Sequence, residues 1–452
     1  MTNKQSSDPK VNVVVQKMAA QLRTLAAELG DQSFGAIESH ALAIANEAVR
    51  IALQAELQTR ADKLPERVRV DGISYRRHQP GRVEYHSLCG PLSVQRATYR
   101  PVGKRNAPTI VPLELEAGLM QRATPALAFA VAQGHAKSPS RDVEQDLRAA
   151  HRRPPSRSTV ERMGRALGLK LKAALPRIEP EVRDAELVPD QACGLCVGLD
   201  RTTVPMAEDE GESVRVHYRM AYVATVSLTD PDGRALTVRR YAAAAHEGPR
   251  QIIERLMADV RHALSQRPTL RLAVIQDGAP ELWNLMRDAL KKEPAVKSWR
   301  EAIDRYHLKE RLAQILELIE RDKARRAVRL ARWERSLDRN DRAIYTIKRA
   351  IEKHWWQNGA RNDALGAHLT YLDYSPLMRY ASLRKQGLPV GSGVTEGACK
   401  SLIATRAKRS GQRWRPPGID AVLAVRATLQ SERLSTVWPL FSRQFATAVR
   451  AA

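Results

Sequence analysis

Hydrophobic residues recur at helical spacing along the first part of the chain. Between Val11 and Leu64 the sequence is rich in alanine and leucine, and apolar residues at positions 15, 18, 22, 25 and 29 precede a break at Gly30. Apolar residues three and four positions apart share one face of a helix. We therefore predict two helices packed as a hairpin, in an N-terminal helical segment that spans residues 1–66.

Alternation replaces the helical spacing after residue 66. From Arg67 to Tyr99 apolar and polar residues alternate, which places the apolar side chains on one face of a strand. Glycine and proline favour turns, and they interrupt the alternation at Gly72, Pro80-Gly81 and Gly90-Pro91. This pattern predicts a small antiparallel β-unit within residues 67–112.

Three further helices are predicted within residues 113–186. Thr124 can cap the first, Ser138 or Ser140 the second, and Ser158 the third, which should end near Gly168. The tight turn before the third helix resembles a helix-turn-helix unit. A plain helical linker fits the same pattern equally well, and the whole-chain charge is what favours DNA contact. The candidate DNA-binding residues on the third helix are Arg157, Arg162 and Arg165.

Short apolar runs alternate with helical patterns in residues 187–304. The predicted strands lie at 194–200, 214–228, 235–241 and 270–276, with a helix before the last strand and another after it. Three strands, a helix, a strand and a helix form the opening half of the ribonuclease H-like fold, a mixed sheet covered by helices. The predicted fold class is therefore a multidomain α+β protein with a ribonuclease H-like core.

A long helical and highly charged stretch follows this predicted sheet. Residues 308–374 contain no strand signal, and basic and acidic side chains are interspersed throughout. We predict an all-helical insertion at 305–387 that forms a separate body. It would divide the core domain into two parts, 187–304 and 388–452.

The overall charge narrows the class of partner. The 452 residues include 74 lysines and arginines against 50 aspartates and glutamates, a formal net charge of +24. Charge of this size favours nucleic acid or another polyanion as partner. With 43% hydrophobic residues the chain can form packed cores, which excludes a disordered basic tail.

The sequence also predicts a compartment. No apolar run reaches the length of a membrane span, and the polar N-terminus lacks the apolar region of a signal peptide. Four cysteines in a chain of this length indicate a reducing compartment. We expect a cytoplasmic bacterial protein associated with the nucleoid.

Three acidic residues stand where carboxylates can converge. Asp200 and Asp277 each follow a predicted strand, and Glu396 lies in the first turn of a helix predicted over 394–409, with the Ser392 hydroxyl as its N-cap. No other acid occurs before Asp420. A carboxylate at the head of a basic helix suits a metal ligand facing a polyanion. The basic residues that follow Glu396 are Lys400, Arg406, Lys408, Arg409, Arg413 and Arg415.

Such a trio suits the cleavage of a phosphodiester. Two divalent ions about 3.5–4 Å apart activate the attacking water and stabilise the leaving oxyanion, and Mg²⁺ prefers oxygen ligands. Asp200 would bridge two Mg²⁺ ions, with Mn²⁺ as a substitute, while Asp277 and Glu396 would hold one ion each. Taken singly, Asp277 is better interpreted as a turn residue and Asp200 as a helix or loop cap. Their joint placement favours the metal site.

Several local motifs resemble a known family of enzymes. They are Gly198-Leu-Asp200, Gln276-Asp277-Gly278 with Trp283, Asp304-Arg-Tyr-His307, and the run from Pro389 to Glu396 that continues to Trp414. These motifs resemble the DDE transposases of insertion sequences of the ISKra type, which are distantly similar to Mutator-like enzymes. The resemblance covers most of residues 70–440. Such relatives often carry cysteines in the loop after the equivalent of Tyr99, and residues 104–110 have none.

The resemblance implies a DNA transposase that acts on double-stranded DNA, at element ends and targets, as a homodimer. A DDE triad of Asp200, Asp277 and Glu396 would catalyse Mg²⁺-dependent cleavage and strand transfer. His307 either contacts DNA or is structural, and Trp414 either stacks on a base or packs against its own helix. Two alternatives remain: a ribonuclease H-like structure-specific nuclease without strand transfer, and a non-catalytic DNA-binding protein derived from a transposase.

Overall fold

The computed structural model describes residues 33–103, 106–357 and 363–452, together with seven positions between 16 and 24. The chain forms two compact units, of which the first comprises Met1–Leu167 with Pro439–Ala452 and the second Gly168–Trp438. The finer division into five segments stays a prediction. Most of the first predicted helix lies outside the described residues. None of the described helices is long and apolar enough to cross a membrane.

A long helix and an antiparallel sheet form the core of the first unit. The helix, α1 (Phe34–Lys63), begins after Ser33, whose hydroxyl accepts a hydrogen bond from the amide of Ala36. The alternating residues predicted as strands form this sheet, and Tyr85 and Leu92 are among the buried ones. The turn predicted at Pro80-Gly81 is wrong, because one strand runs through these residues. Its strands are β1 (Arg67–Val70), β2 (Ile73–Ser87), β3 (Gly90–Pro101) and a short C-terminal strand, β9 (Arg450–Ala451), and their order is β3-β2-β1-β9.

The helices predicted after this sheet are present, but the last is longer than expected. They are α3 (Pro125–Lys137), α4 (Ser140–Ala149) and α5 (Arg157–Asp184). A short helix that was not predicted, α2 (Pro112–Glu116), precedes them. The predicted end of α5 near Gly168 is wrong. A Cβ at Gly168 would lie 2.4 Å from the backbone oxygen of Ala421. The glycine therefore permits a close approach of two backbones and does not end the helix.

A mixed five-stranded sheet is the centre of the second unit. Its strands are β4 (Gly194–Glu210), β5 (Ser213–Thr229), β6 (Ala235–Ala243), β7 (Arg271–Gln276) and β8 (Arg300–Ile303). The order is β6-β5-β4-β7-β8. β5 is antiparallel to both of its neighbours, β6 and β4, whereas β4, β7 and β8 run parallel to one another. This confirms a mixed α+β architecture with the predicted order of strands and helices.

The strand that carries Asp200 does not end there, and that prediction is wrong. Pairing of β4 with β7 stops at Val197, but its pairing with β5 continues to Glu210. The two strands thus form a long hairpin that extends beyond the rest of the sheet. Asp200 lies where β4 leaves β7, which is still the carboxyl end of the parallel part of the sheet.

The helical insertion packs on the sheet, so the prediction of a separate body is also wrong. Leu308, Leu312, Ile344 and Ile347 belong to one hydrophobic core with strand residues such as Val274.

The helices from the sheet to the end of the second unit are α6 (Arg250–Gln266), α7 (Pro280–Lys291), α8 (Arg305–Ile319), α9 (Lys323–Arg339), α10 (Ala343–Gln357), α11 (Asp363–Tyr371), the 3₁₀ helix Leu372–Leu377, α12 (Tyr380–Lys385), α13 (Gly393–Ala398), a π-helical turn (Cys399–Ala404), α14 (Thr405–Ala407), α15 (Pro416–Gln430) and α16 (Leu434–Arg443), the last of which runs on into the C-terminal residues.

The substitution Gly168→Ala tests the backbone approach in α5. The added methyl group would meet backbone atoms of Ala421, which cannot turn aside, so we expect a loss of roughly 1–3 kcal/mol of stability. Calorimetry of the full chain should show a lower unfolding temperature. Gly366→Ala is the matched control, because nothing lies within 4 Å of its added Cβ and alanine favours the helix. An unchanged transition for Gly168→Ala would contradict the close approach.

Candidate active site

Three aspartates lie level with one another on the parallel strands. β4 pairs with β7 from Gly194 with Arg271 to Val197 with Val274, and the same offset places Asp200 level with Asp277. The pairing of Gln276 with Ile303 likewise places Asp277 level with Asp304. The carboxyl ends of parallel strands share one edge of the sheet, where ligands bind in open α/β sheets. The register of the parallel strands therefore places the two predicted aspartates, and a third acid, at the same edge of the sheet.

Asp277 lies in a turn that its neighbours hold in place. Its Oδ1 accepts a hydrogen bond from the amide of Ala279 at 3.1 Å, and the Trp283 indole donates to its backbone oxygen at 2.8 Å. Burial raises the pKa of Tyr371 to about 12, with Arg311 opposing and the carboxylates of Asp304 and Asp277 adding to the shift. The tyrosine hydroxyl therefore stays protonated beside these acids at neutral pH.

Asp304 is a buried anchor. Only 1% of the residue is exposed to solvent. Oδ1 accepts from the amides of Tyr306 at 2.5 Å and His307 at 2.9 Å, which begin α8. Oδ2 accepts from the amide of Ser392 and from its hydroxyl at 2.8 Å. Both carboxylate oxygens are thus used to join the end of β8, the start of α8 and the turn before α13.

Ser392 connects this anchor to Glu396. Its hydroxyl does not cap α13, contrary to the prediction, and the amides of Thr395 and Glu396 bond instead to its backbone oxygen, at 2.7 and 3.0 Å. The hydroxyl contacts both Asp304 Oδ2 and Glu396 Oε1. With one proton, it can donate to only one of them at a time. His307 Nε2 lies 3.4 Å from the same Glu396 oxygen. The Glu396 carboxylate is thus held from two sides.

The helix that carries Glu396 is also fixed to the strand that carries Asp200. A Cβ at Gly198 would lie 2.2 Å from Thr395 Oγ1, and that hydroxyl is 2.7 Å from Thr225 Oγ1. The predicted regular helix over 394–409 is wrong, because a π-helical turn, Cys399–Ala404, interrupts it. Such turns often mark functional sites. Burial raises the pKa of the Cys399 thiol, and the hydrogen-bonded Asp200 carboxylate and Glu396 add to this shift. Asp200 and Glu396 therefore face one thiol.

The donor set fits divalent cations. Asp200, Asp277 and Glu396 offer only oxygen ligands, as Mg²⁺ prefers, and within the described ranges none of them forms an ion pair with lysine or arginine. A group of His, Cys, Asp or Glu ligands tight enough for a single ion, with ligand atoms within 4.8 Å, is found in the described residues only at His246, Glu247 and Asp420. Asp200, Asp277 and Glu396 do not form such a tight group.

The tighter group is already occupied by a cation of the protein itself. The Lys172 ammonium hydrogen-bonds to Glu247 and lies 2.9 Å from Asp420 Oδ2, and His246 Nε2 lies 3.0 Å from the same oxygen. An ammonium between two carboxylates neutralises them as a metal ion would. This group is therefore an ion-pair network of the second unit.

The predicted DNA-binding residues fall into two groups. Arg406 is only 2% exposed, and its guanidinium lies 4.8 Å from the ring centroid of the buried Trp414. The Trp414 indole donates to the backbone oxygen of Ala407 at 3.0 Å. The prediction that these two side chains contact DNA is wrong, because they are buried and pack against each other. His307 lies beside Glu396, and the exposed candidates are Arg157, Arg162, Arg165, Lys400, Lys408, Arg409 and Arg413.

Comparisons with known proteins give little further guidance. No family model matches the chain, and no curated protein matches it. The chain is similar to a solved structure, the Drosophila P element transposase strand transfer complex, at 15% sequence identity and a TM-score of 0.27. The match covers 71% of this chain and 80% of that chain.

The substitution Gly198→Ala tests the contact between strand and helix. The new methyl group would overlap Thr395 Oγ1 and lie 3.1 Å from the backbone oxygen of Ile275, so the start of α13 must move. We expect faster hydrogen exchange at the amides of residues 393–404. Gly393→Ala is the control on the same helix, because nothing lies within 4 Å of its added Cβ. Equal exchange in both variants would rule out the proposed contact.

Proposed function

We propose that this protein is a DNA transposase that cleaves and joins phosphodiesters with two Mg²⁺ ions held by Asp200, Asp277 and Glu396. The observation that carries the proposal is the strand register that aligns Asp200 with Asp277, together with the tether of Glu396 to the same edge. A ribonuclease H-like core has this strand order. The motif resemblance to ISKra-type DDE transposases supports the same conclusion.

The roles of the residues follow from their surroundings. Two bound ions would activate the attacking water or DNA 3′-hydroxyl and stabilise the leaving oxyanion. β4, which carries Asp200, pairs with the strand that precedes Asp277 and contacts the helix of Glu396 through Gly198, so we assign Asp200 the bridging role. Asp304 and Ser392 orient Glu396, and His307 restricts the movement of the Glu396 carboxylate from the other side. Ligands held by such neighbours lose little freedom on binding metal.

The charge near the site supports DNA as substrate. Exposed cations follow Glu396 along the chain, and α9 adds a second basic surface. The two acids of α9, Glu334 and Asp338, already contact Arg305, Lys309 and Arg384, so they do not neutralise the outer arginines of that helix. The basic residues of α9 are Lys323, Arg325, Arg326, Arg329, Arg332, Arg335 and Arg339. A homodimer on the DNA is part of this proposal.

The substitution Asp277→Asn should abolish cleavage of element-end DNA while DNA affinity is kept. Loss of a metal ligand removes charge stabilisation at the reacting phosphate, worth at least about a hundredfold in rate, whereas phosphate binding depends on lysine and arginine. Asp232→Asn is the control, because Asp232 is exposed and pairs only with nearby Arg234. Cleavage at the wild-type rate would remove Asp277 from the site. Cleavage without strand transfer by the wild-type protein would favour the nuclease alternative.

The exposed cations after Glu396 should set part of the salt dependence of DNA binding. Each phosphate contact adds about 0.9 to the slope of log affinity against log salt. Reversing Lys400, Arg409 and Arg413 to glutamate should therefore lower the slope, as measured by fluorescence anisotropy.

A control with the same net charge separates local from global effects. It carries glutamate at three exposed arginines elsewhere in the chain, Arg69, Arg76 and Arg234. Its slope should fall less than that of the first variant. Equal slopes in the two triple variants would show that the surface after Glu396 makes no special contact with DNA.

A further inference from the structure

An arginine that no acid neutralises lies on α8 next to the candidate site. Arg311 follows His307 by one helical turn, so the two side chains share one face of the helix. His307 Nε2 is 3.4 Å from Glu396 Oε1. Arg311 is exposed, and in the part of the chain that the structure describes it forms no ion pair. Two other cations of this helix, Arg305 and Lys309, do pair with acids of α9.

The Tyr371 ring orients this arginine. The central carbon of the Arg311 guanidinium lies 5.1 Å from the centroid of the ring, within the range of a cation–π attraction. Such a contact uses the face of the guanidinium, and the N–H groups at its edge can still donate to two oxygens of one phosphate. The Tyr371 hydroxyl is enclosed and has no hydrogen-bond partner among the described residues. The ring, and not the hydroxyl, is therefore the part that positions Arg311.

Tyr371 also borders the turn that carries Asp277. A Cβ at Gly278 would lie 3.4 Å from Cε2 of the tyrosine ring. Burial raises the pKa of Tyr371, and the nearby Asp277 carboxylate adds to the rise. Arg311 therefore lies beside the candidate site on the side of Asp277.

A second cation lies on the side of Asp200. The Lys408 ammonium donates to Thr202 Oγ1 at 2.7 Å, two residues after Asp200 along β4. Burial raises the pKa of the Cys399 thiol, with Asp200 adding to the rise and Lys408 opposing it. Carboxylates repel a polyanion unless cations face it as well. A DNA strand that reaches the acids would thus meet positive charge from Lys408 on one side and from Arg311 on the other.

We propose that Arg311, oriented by the Tyr371 ring, binds a backbone phosphate of the DNA strand that lies at the three candidate acids. This inference rests on the proposed function and adds a residue that positions the substrate without holding metal. A phosphate suits the site because it offers two oxygens to the edge of one guanidinium. Residue spacing does not reveal this role, since Arg311 is one of many cations in a charged helical stretch.

DNA binding tests the contact without requiring cleavage. For a labelled duplex that carries one element end, Arg311→Ala should raise the dissociation constant at least about tenfold. The slope of log affinity against log salt should fall by about 0.9. Arg300→Ala is the matched control: Arg300 is exposed and begins β8, at the amino end of the parallel strands, away from the acids. Equal affinities and slopes in the two variants would overturn the proposal.

Substitutions at Tyr371 test the role of its ring. Tyr371→Phe keeps the ring and should bind the duplex as the wild-type chain does, whereas Tyr371→Leu should weaken binding although every charge remains. Arg311→Lys gives a second comparison that leaves the tyrosine intact, because lysine keeps the charge but lacks the planar group. It should retain most of the salt slope and lose affinity. Wild-type affinity in both Tyr371→Leu and Arg311→Lys would rule out positioning by the ring.

Neutral phosphates locate the contact on the DNA. A series of duplexes, each with one methylphosphonate, removes a single negative charge at successive positions of the element end. One position should cost the wild-type chain about tenfold in affinity and cost Arg311→Ala little, because both changes remove the same contact. Equal losses in the two proteins at every position would overturn the proposal. A wild-type chain that shows this pattern but cleaves nothing would support the contact and contradict the proposed function.

Discussion

The buried Asp304 carboxylate is the constraint on which the site depends. A carboxylate withdrawn from water costs several kcal/mol unless hydrogen bonds replace the solvent. Asp304 receives such bonds from the two amides that begin α8 and from the amide and hydroxyl of Ser392. The end of β8, the start of α8 and the turn before α13 therefore cannot separate without leaving the carboxylate unsatisfied.

This anchor makes the helical insertion part of the site. α8 begins at Asp304, carries His307 on its first turn, and buries Leu308 and Leu312 in the same core as the sheet. At the other end of the insertion, the Tyr371 ring would lie 3.4 Å from a Cβ at Gly278. The insertion thus supports both the glutamate and the turn that follows β7, which is why Glu396 can lie beside aspartates so distant along the chain.

Local sequence patterns predicted the secondary-structure elements of this protein better than they predicted the tertiary contacts of those elements. Asp277 is predicted because a buried apolar run ends at it, and this signal is local. The extension of β4 beyond Asp200 depends on a cross-strand partner, which residue spacing does not reveal. The Ser392 hydroxyl hydrogen-bonds to the carboxylate of Asp304, which is distant in sequence. The amides at the start of the helix therefore bond to the Ser392 backbone oxygen instead. Arg406 and Trp414 looked available for DNA because charge and aromaticity are visible in a sequence, whereas their mutual burial is not.

The distribution of ion pairs explains how a strongly basic chain keeps three acids open to cations. Elsewhere in the second unit several buried acids have guanidinium partners, as Glu179 has in Arg255 and Asp259 in Arg433. The three candidate acids instead have an amide, a thiol, a hydroxyl and an imidazole as neighbours. A metal ion need not displace a fixed positive charge there, as it must where Lys172 lies between two carboxylates. Neighbours without permanent positive charge orient a carboxylate and leave its negative charge for the metal ions that we propose.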